Sequence, residues 1–296
     1  MADIFHQQND PFLLRCQVAQ RQEYSSVKRL ALWQLIITMI FAVLSIAATA
    51  LNVEWLTAVA CFLAVALVLF NKHADQMAME LKRHAASIQQ FIDVTLFAAA
   101  IGNNATEWGE LPNKTDIAHA ASKFGNGDVS KMQNWYSDYS SLSGICQVFY
   151  CQNENIRWNY ELHKRFKRLQ LVSLCVVAVV FLSILFLVNP SFIRLVCVLS
   201  WLAPIAEYTY SIWSEVQKSI LSLQDLAAFS NKIENELSSI PCQSIIPDLI
   251  QLQNKIRRKR ESGFLIPDWF YNRHKEGQQR QEDDIAKNLS KMNGPQ

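Results

Sequence analysis

The sequence predicts an all-α membrane protein with four transmembrane helices in two hairpins and a mainly helical cytoplasmic region. Three observations carry this. Half of the 296 residues are hydrophobic while only 18% are charged, against a usual charged share of about 25%. The apolar residues are bunched into four blocks, with the charges lying between them. Of the 28 Lys and Arg residues, Arg194 alone falls inside a block.

The first block, Leu30 to Leu51, has no charge. At the helical rise it spans roughly 33 Å, enough for a hydrocarbon core of about 30 Å. The second, Trp55 to Phe70, is shorter and ends close to Lys72, whose long side chain can reach an interface. The third, Leu171 to Val188, is uncharged. The fourth, Phe192 to Ile212, contains Arg194, Pro204 and Glu207, with its two charges near its ends. The connections Asn52–Glu54 and Asn189–Ser191 carry no Lys or Arg. Lys28 and Arg29, then Lys164, Arg165, Lys167 and Arg168, precede the first and third blocks. The positive-inside rule therefore places both termini and the middle region in the cytoplasm. The expected division is a cytoplasmic segment 1–29, a hairpin 30–70, a cytoplasmic region 71–169, a hairpin 170–213 and a cytoplasmic helical region 214–296. The first 29 residues are polar and mixed, unlike a cleavable leader.

Two cytoplasmic stretches have helical periodicity. Leu81, Ile88, Phe91, Ile92 and Leu96 recur along Asp75 to Ile101, with Gly102 as the stop. Val216, Ile220, Leu223, Ala227, Ile233 and Leu237 recur before Pro241. Packing of one bundle is the simpler reading of both stripes, and a seam between chains the competing one. Residues 103–134 read as a loop-rich insertion. Pro247 and Pro267, each followed by Asp, suit the first turn of a helix. Asp283 and Asp284 lie in a highly polar tail and read as solvated.

The chemistry-bearing residues define no enzyme. Six histidines are scattered without an HExxH pair, and there is no GxSxG elbow. Seven cysteines form no CxxC pair; zinc is not expected, and a reduced compartment is. A net charge of +2 does not advertise binding to DNA or RNA polymers. The basic cluster Lys255, Arg257, Arg258, Lys259 and Arg260 suits lipid head groups or a polyanionic ligand, or else a solvated helix face. In the middle region Trp135, Tyr136 and Asp138 precede a helical run holding Arg157 and Trp158. Aromatic faces and a guanidinium suit planar bases and phosphates. The same residues suit a cluster that pins a bundle together, which is the reading the residue types alone favour.

WYSD at Trp135–Asp138, CQNENIRW at Cys151–Trp158 leading into the basic entrance of the third block, and IPDWFY at Ile266–Tyr271 resemble the SMODS-associated four-transmembrane effector family. The likeness in layout covers nearly the whole chain. It implies a pore-forming effector of bacterial anti-phage signalling in the inner membrane. Such an effector senses a cyclic di- or trinucleotide made by a partner cyclic-oligonucleotide synthase, has no other cofactor, and acts as a homo-oligomer. On that resemblance Trp135, Tyr136, Asp138, Arg157 and Trp158 are the ligand-binding or coupling residues. A membrane-anchored scaffold that recruits a cytoplasmic partner, or a small channel with another trigger, is the competing class.

Overall fold

The structure, a computed structural model, describes residues 3–51, 54–109, 111–124, 127–188, 192–237 and 242–293. The described residues form α-helices joined by turns, with no strand. In chain order these are α1 (Ile4–Gln7), α2 (Pro11–Leu51), α3 (Glu54–Ile101), α4 (Lys114–Phe124), α5 (Gly144–Val188), α6 (Phe192–Leu237), α7 (Ile246–Ser262) and α8 (Asp268–Asn293). Of the expected turn Asn52–Glu54, Glu54 opens α3; its first two residues, the turn Asn189–Ser191 and the stop at Pro241 lie outside the described residues.

Four helices carry the architecture. α2, α3, α5 and α6 have 41, 48, 45 and 46 residues. At 1.5 Å per residue each is roughly 60–70 Å long, about twice a hydrocarbon core. Every expected boundary, at 29, 70, 169 and 213, falls inside one of these continuous helices. Secondary structure therefore does not change at the boundaries; the environment of the side chains does. α2 buries Leu13, Cys16, Ala19, Glu23 and Val27, then exposes Leu32, Trp33, Ile40 and Val43. α3 runs the other way, from exposed Phe62, Val65, Val68 and Leu69 to buried Ala85, Ile88, Ile92 and Phe97. α5 buries Val148, Phe149, Cys151 and Ile156 and exposes Leu171, Leu174, Val177, Val180, Leu182 and Phe186. In α6 exposed Tyr210 gives way to buried Val216, Leu223 and Ile233.

A water-soluble helix shows the reverse, with its most apolar stretch inside. Among the described residues α5 is long and apolar enough to cross a membrane; its most apolar 18-residue stretch has a mean hydropathy of 1.8 and is 6% buried. Exposure of so contiguous an apolar surface marks a contact with lipid or protein.

The other halves of the long helices form a bundle, closed by α4, α7 and α8. One core joins Ile88, Ile92, Leu96 and Phe97 of α3 to Val148, Phe149 and Ile156 of α5, Leu223 and Ile233 of α6, and Leu249, Leu252 and Ile256 of α7. Both periodic stripes of the sequence thus pack within one chain. The insertion at 103–134 is more ordered than its composition predicts. It contains α4, which buries Ile117, Ala120 and Ala121, and a turn that buries Trp108 completely. Its helix is short and outwardly polar, so three small apolar positions carried little periodic signal.

Local chemistry sets the helix starts. Asp10 accepts from Phe12 N at 2.8 Å and Leu13 N at 3.2 Å, with Pro11 opening α2. α3 ends at Gly102, whose φ of 70° is the left-handed stop that glycine adopts without strain. α5 starts against the end of α3 so closely that a Cβ on Gly144 would lie 2.1 Å from the Ala100 carbonyl oxygen. Backbone must move to admit any side chain there. Gly144→Ala is therefore expected to cost about 1–3 kcal/mol of stability, read as a lowered melting temperature in detergent; an unchanged melting temperature would show that the α3–α5 junction is looser than this contact.

Candidate functional site

The aromatic segment is built into the bundle from its backbone outward. Asn134 has φ 53°, a conformation asparagine tolerates, and its side chain and N–H both bond Asn9. Gln8 holds the next peptide from both sides: Tyr136 N donates to Gln8 Oε1 at 2.7 Å, and Gln8 Nε2 donates to the Tyr136 carbonyl at 3.1 Å. These bonds turn Tyr136 inward, where its ring meets Phe97 at 5.9 Å.

There the phenol enters a buried polar network. Tyr136 donates to Asp93 Oδ1 at 2.7 Å and accepts from Asn155 Nδ2 at 2.8 Å. The other oxygen of Asp93 takes Arg260 Nη1 at 2.6 Å and Gln253 Nε2 at 3.0 Å. Gln253 also donates to Gln90 and accepts from Gln152. The Arg260 and Asp93 side chains are 8% and 2% exposed. Arg260 Nη2 is buried and has no hydrogen-bond partner.

This network floors a cavity of about 980 Å³, at the upper end of the roughly 300–1,000 Å³ usual for ligand pockets. α2, α5, α7, α8 and the segment 131–141 wall it. Trp135, Tyr136, Asp138 and Trp158 all line it. Arg157 is placed elsewhere: outside that lining, it reaches Glu282 of α8 at 2.6 Å and ties α5 to α8. The basic cluster is also divided. Lys259 and Arg260 line the cavity. Lys255 and Arg258 are exposed, with the Lys255 ammonium 5.3 Å from the Phe229 ring, and Arg257 pairs with Glu261 at 2.9 Å. Arg260, being buried on Asp93, is not presented to a lipid surface.

Several lining residues were not singled out in the sequence. Arg21 and Lys28 come from α2, Lys131 from the loop, and Lys275, Lys287 and Lys291 from α8. Asp283, expected to be solvated, is a correction: it lines the cavity and lies 3.2 Å from Ser137 Oγ. α8 turns one face inward with Gln278, Glu282 and Ala286 at four-residue spacing. That spacing is visible in the sequence, but two of the three residues are polar and gave no apolar stripe.

The lining holds eight Lys and Arg side chains against four Asp and Glu. Burial pushes the Glu154 carboxyl up to about 8, with Ser137 N–H opposing, so it adds little negative charge near neutrality. Burial, then Arg260 and Lys82, push Lys259 down to about 7. Burial, then Lys259, push His163 down to about 3, which leaves it neutral. A concave site of one sign concentrates ligands of the other, and the rings of Tyr24, Trp135, Trp158 and Tyr271 add flat apolar walls. The lining thus combines an excess of cationic side chains with flat aromatic walls. No cluster of metal-ligating side chains occurs among the described residues.

The described residues thus combine helices throughout, one helix long and apolar enough to cross a membrane, and a charged, aromatic-walled cavity of ligand size. A family model for the SMODS-associating 4TM effector domain matches residues 2–289, and the chain belongs to that family. Comparisons with curated proteins and with solved structures give no match.

Two predictions follow from the buried charges. Asp93→Ala strands the Arg260 guanidinium in the interior and is expected to cost about 3–5 kcal/mol, read by thermal denaturation; a loss no larger than that of an exposed substitution would show the pair to be solvated. Glu154 favours its protonated form when folded, so its contribution is complete below its ordinary 4.5 and is lost as pH rises toward 8. The melting temperature of Glu154→Gln minus that of wild type is therefore expected to rise from pH 5 to pH 8; a constant difference would place Glu154 at its ordinary pKa.

Proposed function

We propose that the protein is a membrane effector of bacterial anti-phage defence that binds a cyclic oligonucleotide in the cavity and, as an oligomer, permeabilises the inner membrane. The observation that carries this reading is the cationic, aromatic-walled cavity in a bundle whose helices continue without a break into exposed apolar segments. The family supports the membrane and effector parts. In the proposed topology the four long helices each cross the bilayer, both termini are cytoplasmic, and a cyclic-oligonucleotide synthase supplies the signal.

The cations fit phosphodiesters and the rings fit bases. Trp135, Tyr136, Asp138, Trp158, Lys259 and Arg260 are the proposed contacts, and Arg157 acts through Glu282 and α8. The ligand drives the change only by binding the permeable, assembled state more tightly than the resting one. The two periodic stripes are used inside the bundle, so assembly uses other surfaces.

The test is thermal stabilisation of detergent-solubilised protein against cyclic di- and trinucleotides. A ligand at a hundred times its Kd adds about 2.7 kcal/mol, and one member is expected to raise the melting temperature with concentration and to release dye from proteoliposomes. Lys275→Ala and Trp158→Ala are each expected to weaken that ligand about tenfold, which is about 1.4 kcal/mol. Folded protein that responds to no member of the panel would overturn the reading.

A further inference from the structure

The IPDWFY element is only partly used by the cavity. Ile266, Asp268 and Tyr271 line it. Trp269 does not, and it is 59% exposed. Its ring meets Phe270 edge-on at 5.6 Å, and an exposed tryptophan next to a buried phenylalanine asks what covers it.

The height of this turn along the molecule is fixed by its neighbours. Lys28 Nζ meets Asp268 Oδ1 at 2.6 Å, two residues before the first apolar block. Phe270 packs edge-on against Phe166 at 5.2 Å, three residues before α5 begins to expose its apolar surface at Leu169. Ile266 and Phe270 share a small core with Leu162, Phe166, Val216 and Ile220, where α6 leaves its own exposed segment. The turn therefore sits where three long helices pass from buried to exposed. Trp33, Tyr210 and Trp213 are exposed near these transitions; Arg29 is exposed one helical turn before Trp33, and exposed Arg168 follows Lys167, whose ammonium lies 5.6 Å from the Trp213 ring. An indole has an apolar body and one polar N–H, which suits the boundary between hydrocarbon and water. Arginines at that level suit head-group phosphates.

We propose that Trp269 is an interfacial anchor that fixes the N-terminal end of α8 in the phospholipid head-group layer. α8 also closes the cavity and reaches the far end of the bundle, where Ser290 meets Ser141 at 2.7 Å. The helix over the cavity is thus held to the bilayer at one end and to the loop before α5 at the other. The inference rests on α5 crossing the membrane and not on the identity of any ligand.

A ketone-bearing phenylalanine analogue, which leaves the native cysteines untouched, replaces Trp269, Val177 or Arg280 in separate full-length variants. Each is coupled to a nitroxide and reconstituted in vesicles of phosphatidylethanolamine and phosphatidylglycerol. Collisions with oxygen and with a water-soluble nickel chelate report depth. Val177 of α5 is exposed on the apolar surface and Arg280 on the outer face of α8. The ratio of oxygen to nickel collisions is expected to be highest at 177, lowest at 280 and shifted well above the 280 value at 269. An aqueous value at 269 with a deep value at 177 overturns the inference while leaving the membrane reading in place. Aqueous values at both remove the membrane reading and the inference together. As a second measurement, brominated lipid is expected to quench a smaller share of the fluorescence of Trp269→Phe than of wild type, and equal quenching counts against the anchor.

Discussion

The ion pair between Asp93 and Arg260 is the constraint on which the cavity depends. It joins α3 to α7 inside the bundle, and through the Tyr136 phenol it also fixes the aromatic segment and Asn155 of α5. Removing two charges from water costs several kcal/mol per ion, and their attraction offsets this only where the remaining lone pairs and protons are satisfied. Asp93 meets that condition, with Tyr136, Gln253 and Arg260 on its two oxygens. Arg260 does not, because one nitrogen has no partner. A hydrophobic floor of the same shape would be simpler to fold. The pair is instead suited to holding a fixed positive group at the base of a cavity, with its position set by the protein before any ligand arrives.

The second constraint is continuity. α2, α3, α5 and α6 pass from bundle to exposed apolar segment with no turn between. A helix is stiff over such lengths, so a displacement at the cavity wall is carried along its axis and is not absorbed in a linker. The ties that hold α8 to the long helices are short and specific: Lys28 to Asp268, Arg157 to Glu282, and Gln278 to the Trp158 carbonyl. Each joins α8 to one of the long helices. On the proposed reading, the position of α8 and the tilt of α2 and α5 are linked through these contacts.

Much of the fold was legible because its signals are local. Uncharged runs, the Pro247 and Pro267 helix starts, the Gly102 stop and the two apolar stripes each rest on signals within a few residues. The site was legible only in part. Trp135, Tyr136, Asp138 and Trp158 were visible as aromatic and polar residues next to a helix, and they meet in one cavity. Arg157 had the right chemistry, but its partner Glu282 lies 125 residues away. Asp93 and Arg260 are 167 residues apart, and nothing local distinguishes either from a surface charge. The inward face of α8 escaped notice for a different reason. It uses Gln278 and Glu282, whose burial depends on hydrogen bonds from other segments and not on hydrophobicity.

The cavity also shows why formal charge is a poor guide to what a site offers. Glu154 and Lys259 are opposite in sign, and burial neutralises both in part: it raises the carboxyl to about 8 and lowers the ammonium to about 7. The site therefore carries less of both charges than its residues suggest, which lowers the cost of keeping them half-buried. An anion near Lys259 favours its charged form. On the proposed reading, the charge that a polyanion requires becomes fully available when it binds, while Arg260, held by Asp93, is charged throughout. The fixed cation positions and the adjustable one responds, and the two are adjacent residues at the end of α7.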